Sequence, residues 1–158
     1  MTPPTWSDVA RDMGIAQAET DKAVAKHATL ATLPPDLSAD REVAIGRHLH
    51  NAYSAAERAL ERLVAGIDGE IPHGTRYHQD LLARAATPIA GIRPAILSDE
   101  TLRDMRRLLA FRHAFRHVYE TFDYDLAKPN LALAAATIPR LRDEITAFAA
   151  GLGLAPRA

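Results

Sequence analysis

Apolar residues recur three and four positions apart through most of the chain, which is the spacing of one helix face, and no stretch alternates residue by residue as a half-buried strand does. Thr5-Trp6-Ser7-Asp8 sets a capping side chain three residues before an acid, and a first helix is expected from there to about Leu33, with Gly14 as its weak point and Pro34-Pro35 as its stop. Ser38-Ala39-Asp40 opens a second helix to about Ile67. Its apolar row is Val43, Leu49, Tyr53, Ala56, Leu60, Leu63 and Val64, and Gly66 with Asp68-Gly69 ends it. Glu70 to Gly74 reads as a loop, and a short third helix from Thr75 to near Pro88 carries Tyr77, Leu81 and Leu82. Ala90-Gly91-Ile92-Arg93-Pro94 reads as an extended connector, because the residue before a proline is biased away from the helical region. Ser98 caps a fourth helix, expected over about residues 98–122, and Asp99 and Glu100 suit its positive end. After a bend at Asp123-Tyr124-Asp125, a last helix runs from about Leu126 to Ala150, and Gly151 and Gly153 end it. With no repeat, low-complexity tract or linker, residues 1–158 are expected to form one all-α domain. Its architecture is an antiparallel helical bundle of four long helices plus a short extra one.

Composition agrees with helices: 47% of the 158 residues are hydrophobic, Ala and Leu lead them, and only 6% are aromatic. A net charge of −1 excludes a polycation, so any nucleic-acid role must rest on a local patch. One such patch exists. Between Thr101 and Tyr119, Arg103, Arg106, Arg107, Arg112 and Arg116 face a single acid, Asp104. The absence of cysteine excludes disulfides, Cys-ligated zinc and thiol catalysis, and fits a reducing compartment. Met1-Thr2-Pro3-Pro4 has no basic start and no apolar run follows, so no signal peptide is expected. No stretch approaches the roughly 20 apolar residues of a membrane span. A soluble cytoplasmic protein with no membrane partner is the expectation.

The chemistry concentrates in Arg112-His113-Ala114-Phe115-Arg116-His117-Val118-Tyr119. Positions three, four and seven apart share a helix side, so Arg112, Arg116 and Tyr119 line up, with His113 and His117 in a row beside them. Phe111, Phe115, Val118 and Phe122 take the apolar side. Read this way, two guanidiniums, two imidazoles and a phenol share one exposed stripe. Arg forks grip phosphate bidentately, and His gives or takes a proton near neutral pH, so the stripe suits a phosphodiester.

These residues carry a family likeness. Arg112, four residues, His117, one residue and Tyr119 complete the motif Arg-x4-His-x-Tyr of the HEPN superfamily, and Phe111 to His117 resembles the "FRHxFRH" wording of its HepT-like toxins. Arg93 to Thr101, His48 to Arg58 and Tyr77 to Leu82 resemble the surrounding helices, so the likeness covers roughly Ala44 to Phe148. The resemblance implies a helical bundle that dimerises through its motif helices. It also implies RNA cleavage without a metal or cofactor, and a minimal nucleotidyltransferase antitoxin of the MNT type that silences the toxin by moving AMP from ATP to Tyr119. Some superfamily members are non-catalytic subunits that bind a nucleotidyltransferase partner or a nucleotide, and that is the alternative reading.

RNA cleavage requires the 2′-hydroxyl to lose a proton, the charged phosphorane to be stabilised and the leaving 5′-oxygen to gain a proton. His117 is the candidate acid or base, Arg112 the clamp on the non-bridging oxygens, and Arg116 and His113 the substrate-binding extension of that grip. Tyr119 is the candidate modification site. His113 and His117 stand four apart as paired metal ligands can, but no carboxylate joins their row. Other residues have plainer readings. His48 and His50 cannot share a helix face, His73 and His78 flank a loop–helix junction, and Tyr53 and Tyr77 sit in apolar rows as core or interface. Trp6 is expected to pack the first helix on the bundle. Arg103, Arg106 and Arg107 suit either RNA or the acidic surface of an antitoxin. For the whole stripe the plain alternative is a solvated helix face.

Overall fold

Pro34-Pro35 divides the first two helices by starting the second. α1 spans Pro3–Ala28 and α2 spans Pro35–Asp68, with Pro35 at a first-turn position where a missing N–H is no loss. A 3-10 turn, Leu30–Thr32, takes up residues that the apolar pattern assigns to the end of the first helix. The hydroxyl of Thr32 donates to the Thr29 carbonyl at 2.7 Å, a local bond of the kind that competes with helix continuation. α3 (Tyr77–Ala85), α4 (Asp99–His117) and α5 (Tyr124–Gly151) complete the chain. The structure, a computed structural model, describes residues 3–117 and 122–155, with side chains from Trp6 onward and, in α4, as far as Phe115. The bend expected at 123–125 is the cap of α5: the Asp123 carboxylate accepts from the Asp125 N–H at 2.9 Å.

The all-α bundle is as expected, with no strand among the described residues. α2 is its axis and touches every other helix. Leu49, Tyr53, Ala56, Leu60, Leu63 and Val64 of the expected row are buried, whereas Val43, nearer the start of the helix, is exposed. Against this row pack Val9, Met13 and Ala16 of α1, Leu81 and Leu82 of α3, Met105 and Leu108 of α4, and Ile138, Leu141 and Ile145 of α5. Trp6 packs against the same core, as its sequence position suggests. At Gly46 the end of α4 closes tightly on α2. A Cβ there would lie 2.6 Å from the Phe115 ring and 2.9 Å from Phe122, so only a hydrogen fits. No helix of the described residues is long and apolar enough to cross a membrane.

Two polar clamps hold the lead-in to α4 and its first turns against the neighbouring helices. Residues 89–93 form a tight turn where the sequence suggests an extended connector. Gly91 takes left-handed geometry at φ 75°, and Ile89 and Arg93 exchange backbone bonds at 2.9 and 3.0 Å. The turn drives Arg93 inward. Its Nε and Nη2 bind the two Asp68 oxygens at 2.6 and 2.9 Å, Nη1 reaches the Thr87 and Pro94 carbonyls, and Nη2 also reaches the Arg84 carbonyl. All five guanidinium N–H donors are thus used. On the other side, Arg140 of α5 donates to Asp104 at 2.6 Å and to the Thr101 hydroxyl at 2.9 Å. Ser98 donates to Glu144 at 2.6 Å while accepting from the Thr101 N–H, the expected cap of α4. The bonds from Arg140, and then that from Arg103, outweigh burial and hold Asp104 below the usual carboxylate range.

Candidate functional site

Helical spacing puts Thr101, Met105, Leu108 and Arg112 in one row at i, i+4, i+7 and i+11, and the first three are buried. Arg112 therefore continues the core-facing seam of α4. It is half-buried, not part of an exposed stripe. Its Nε donates to the Ser54 hydroxyl of α2 at 3.3 Å. Its Nη1 is buried and makes no hydrogen bond among the described residues. A buried guanidinium donor without a partner costs stability, so its position calls for an explanation.

The surroundings of Arg112 are polar. One turn along α2 from Ser54 stands Glu57, 7% exposed in a helix face otherwise made of Tyr53, Leu60 and Val64. Its Oε2 accepts from the Tyr53 hydroxyl at 3.0 Å and from Nδ1 of His78 on α3 at 2.7 Å. A carboxylate accepts only, so Nδ1 of His78 carries a proton, and in the neutral ring Nε2 is the acceptor nitrogen. Burial, and then the Glu57 charge, push the Tyr53 phenol far above its ordinary range. Arg112 opposes this in part, and Tyr53 stays a donor at any working pH. Beside it Tyr77 donates to Glu61, and burial followed by that bond raises the Tyr77 phenol as well. The His78 ring lies 5.3 Å from Tyr77 and, edge-on, 5.5 Å from His113 of α4. Three helices thus bring a guanidinium, two imidazoles, two phenols and two carboxylates to one place.

His113 lines a cavity of about 470 Å³ between α3 and α4, with Arg76, Gln79, Asp80 and Arg106 around it. Across α4 lies a mainly apolar groove of about 510 Å³, walled by Phe111, Phe115, Phe122 and Leu126, with Arg107 at its edge. Asp104 lies within 3.3 Å of Arg103 and 3.9 Å of Arg107, so part of the basic segment is locally balanced. Among the described residues no three His, Asp or Glu side chains are grouped as metal ligands.

Of the residues singled out in the sequence, Arg112 and His113 come to this cluster. The backbone of Arg116 and His117 closes α4, but their side chains lie outside what is described, and Tyr119 lies outside the described residues. His48 pairs with Glu19 of α1 at 2.6 Å and the His50 ring lies 6.1 Å from Phe115, which are separate contacts. His73 is exposed in its loop. Sequence reasoning missed Glu57 and gave His78 no partner. The available signal was a carboxylate at i+4 from Tyr53 and i−3 from Leu60, inside a row destined for burial.

No curated protein and no solved structure matches the chain. The model of the family described as HepT-like protein matches residues 44–152, well over half of the chain, and the match includes α4, the Glu57–His78 pair and the whole Arg112–Tyr119 run. The chain belongs to the HepT-like protein family of the HEPN superfamily.

Proposed function

We propose that this chain is the toxin of a HEPN/MNT-type toxin–antitoxin pair, a metal-independent endoribonuclease acting as a cytoplasmic homodimer. The observation that supports this most is Arg112. Its guanidinium is held at the seam of α2 and α4 with a buried Nη1 that no described protein group satisfies. The residue as a whole is half-buried, and a guanidinium with a donor to spare suits a phosphate oxygen. In this reading Arg112 stabilises the charge that develops on the phosphorane, and His117 protonates the leaving 5′-oxygen. His113 and Arg116 hold the flanking backbone. His113 borders the cavity where Arg76 and Arg106 outnumber Asp80, a course for the strand away from the reacting phosphate.

The reading is tested by expressing the wild type and His117→Ala without a partner. Growth arrest and new RNA fragments are expected in the wild type alone. Equal growth and intact RNA, with both proteins folded, would replace the enzyme by a non-catalytic HEPN subunit.

Control follows from the same residues. The minimal nucleotidyltransferase antitoxin moves AMP to the Tyr119 hydroxyl, which sets an anionic phosphodiester among the arginines of α4 and blocks RNA by occupancy and charge. Tyr119→Phe is expected to stay toxic when the antitoxin and ATP are present, and intact-mass measurement should show no added AMP. A modified and silenced Tyr119→Phe chain would place the acceptor elsewhere.

A further inference from the structure

The reaction needs a base for the 2′-hydroxyl as well as an acid for the 5′-oxygen. A second copy of the motif across a dimer is one source of that base. The described protomer holds another. Glu57 is buried, and its Oε2 is 2.7 Å from His78 Nδ1, which fixes one tautomer of the ring. The Tyr53 hydroxyl donates to the same oxygen at 3.0 Å and keeps the carboxylate oriented. Nε2 lies on the far side of the ring from Glu57, and the ring stands edge-on to His113, the neighbour in sequence of Arg112. The His78 side chain is 27% exposed, so a substrate can reach it, while that of Glu57 is 10% exposed and is kept for the ring. This is the arrangement of a base oriented by a third group.

We infer that His78, oriented by Glu57, is the general base of the ribonuclease site, completed within one protomer by Arg112 and His113. The inference rests on the ribonuclease reading above. The 2′-hydroxyl proton passes to Nε2 of His78, and the 2′-oxygen forms its bond to phosphorus. The P–O5′ bond breaks, and the leaving oxygen takes a proton from the imidazolium of His117. The products are a 2′,3′-cyclic phosphate and a 5′-hydroxyl. Glu57 is a positioning residue that accepts from the ring and from the Tyr53 hydroxyl. Against the ring stand Glu57 from α2, Tyr77 from α3 and His113 from α4, and one contact further out are Tyr53, bonded to Glu57, Glu61, bonded to Tyr77, and Arg112, whose charge acts on Tyr53.

The test uses the purified full-length chain on a labelled oligoribonucleotide, with His78→Gln, Glu57→Gln and, as a control in an exposed loop, His73→Gln. A base that must be neutral gives kcat an ascending limb with pH. His78→Gln is expected to lower kcat about a hundred- to ten-thousand-fold, with little change in KM, and to remove that limb. Imidazole ¹⁵N spectra of the wild type should show His78 with its proton on Nδ1, and Glu57→Gln should disturb that signal. His73→Gln should match the wild type. A cleaving wild type whose His78→Gln variant keeps the rate and the limb overturns this inference alone, as does a His78 proton found on Nε2. A wild type that cleaves no RNA overturns the ribonuclease reading, and the role of His78 as its base falls with it.

Discussion

Arg112→Met is expected to lower RNA cleavage about a hundred- to a thousand-fold, the usual loss when one donor to a developing oxyanion is removed. It is also expected to leave the melting temperature unchanged or to raise it. The two effects have one cause. Arg112 sits on the core-facing seam of α4, its bond to Ser54 is long at 3.3 Å, and its Nη1 is buried with no hydrogen bond among the described residues. Methionine keeps most of the apolar stem and removes the unsatisfied donor, so folding loses little and desolvation eases. A site that sacrifices stability for function behaves in this way. An Arg112 that served only packing would give the opposite pattern, a lower melting temperature with cleavage intact. Thermal unfolding beside a cleavage assay separates the two.

The largest loss of stability is expected at Asp68, the last residue of α2, fourteen residues along that helix from Ser54. The Asp68 and Arg93 side chains are both 0% exposed. Asp68→Ala strands the Arg93 guanidinium without its counter-charge, and breaking a buried pair in this way costs about 3–5 kcal/mol. For a chain of this length that corresponds to a fall in melting temperature on the order of 10 °C. Asp68→Asn keeps the shape and one acceptor and should lose less. An Asp68→Ala melting point within a degree or two of the wild type would contradict this account of the clamp. The same pair sets a pH dependence. Burial alone would raise the Asp68 carboxyl, but the bonds from Arg93 and Arg84 outweigh it and hold it below its ordinary value. A depressed carboxyl contributes its full stabilisation above the unfolded-state value, near 3.9, and loses it as pH falls through the lower folded value. Acid unfolding should therefore begin at higher pH in Arg84→Ala, where one of the two partners is gone.

The helices were legible because α2, α3 and α5 keep their apolar residues at helical spacing and because the caps at Ser98 and Asp123 are written in local sequence. The boundaries that moved had local causes that periodicity does not report. The Thr29–Thr32 turn shortened α1, and Gly91 turned a connector into an anchor for Arg93. The direction of Arg112 was misread for a related reason. The sequence grouped it with Arg116 and Tyr119 by following the four- and seven-residue spacing forward only, whereas the same spacing followed back to Leu108 and Met105 places it toward the core. Glu57 was hidden by the same habit, since an acid in a helix is read as solvated unless its row is followed on both sides. The partner of Glu57 could not be read at all. His78 reaches it across a loop, from a helix whose placement on α2 and α4 is set by packing and not by any local signal.

Cleavage of an end-labelled RNA by the purified wild-type and His117→Ala chains, in the presence of a chelator, tests the central claim most directly. The account predicts fragments ending in 2′,3′-cyclic phosphate from the wild type and none above background from the variant. Intact RNA with the wild type, or equal cleavage by both, would contradict it.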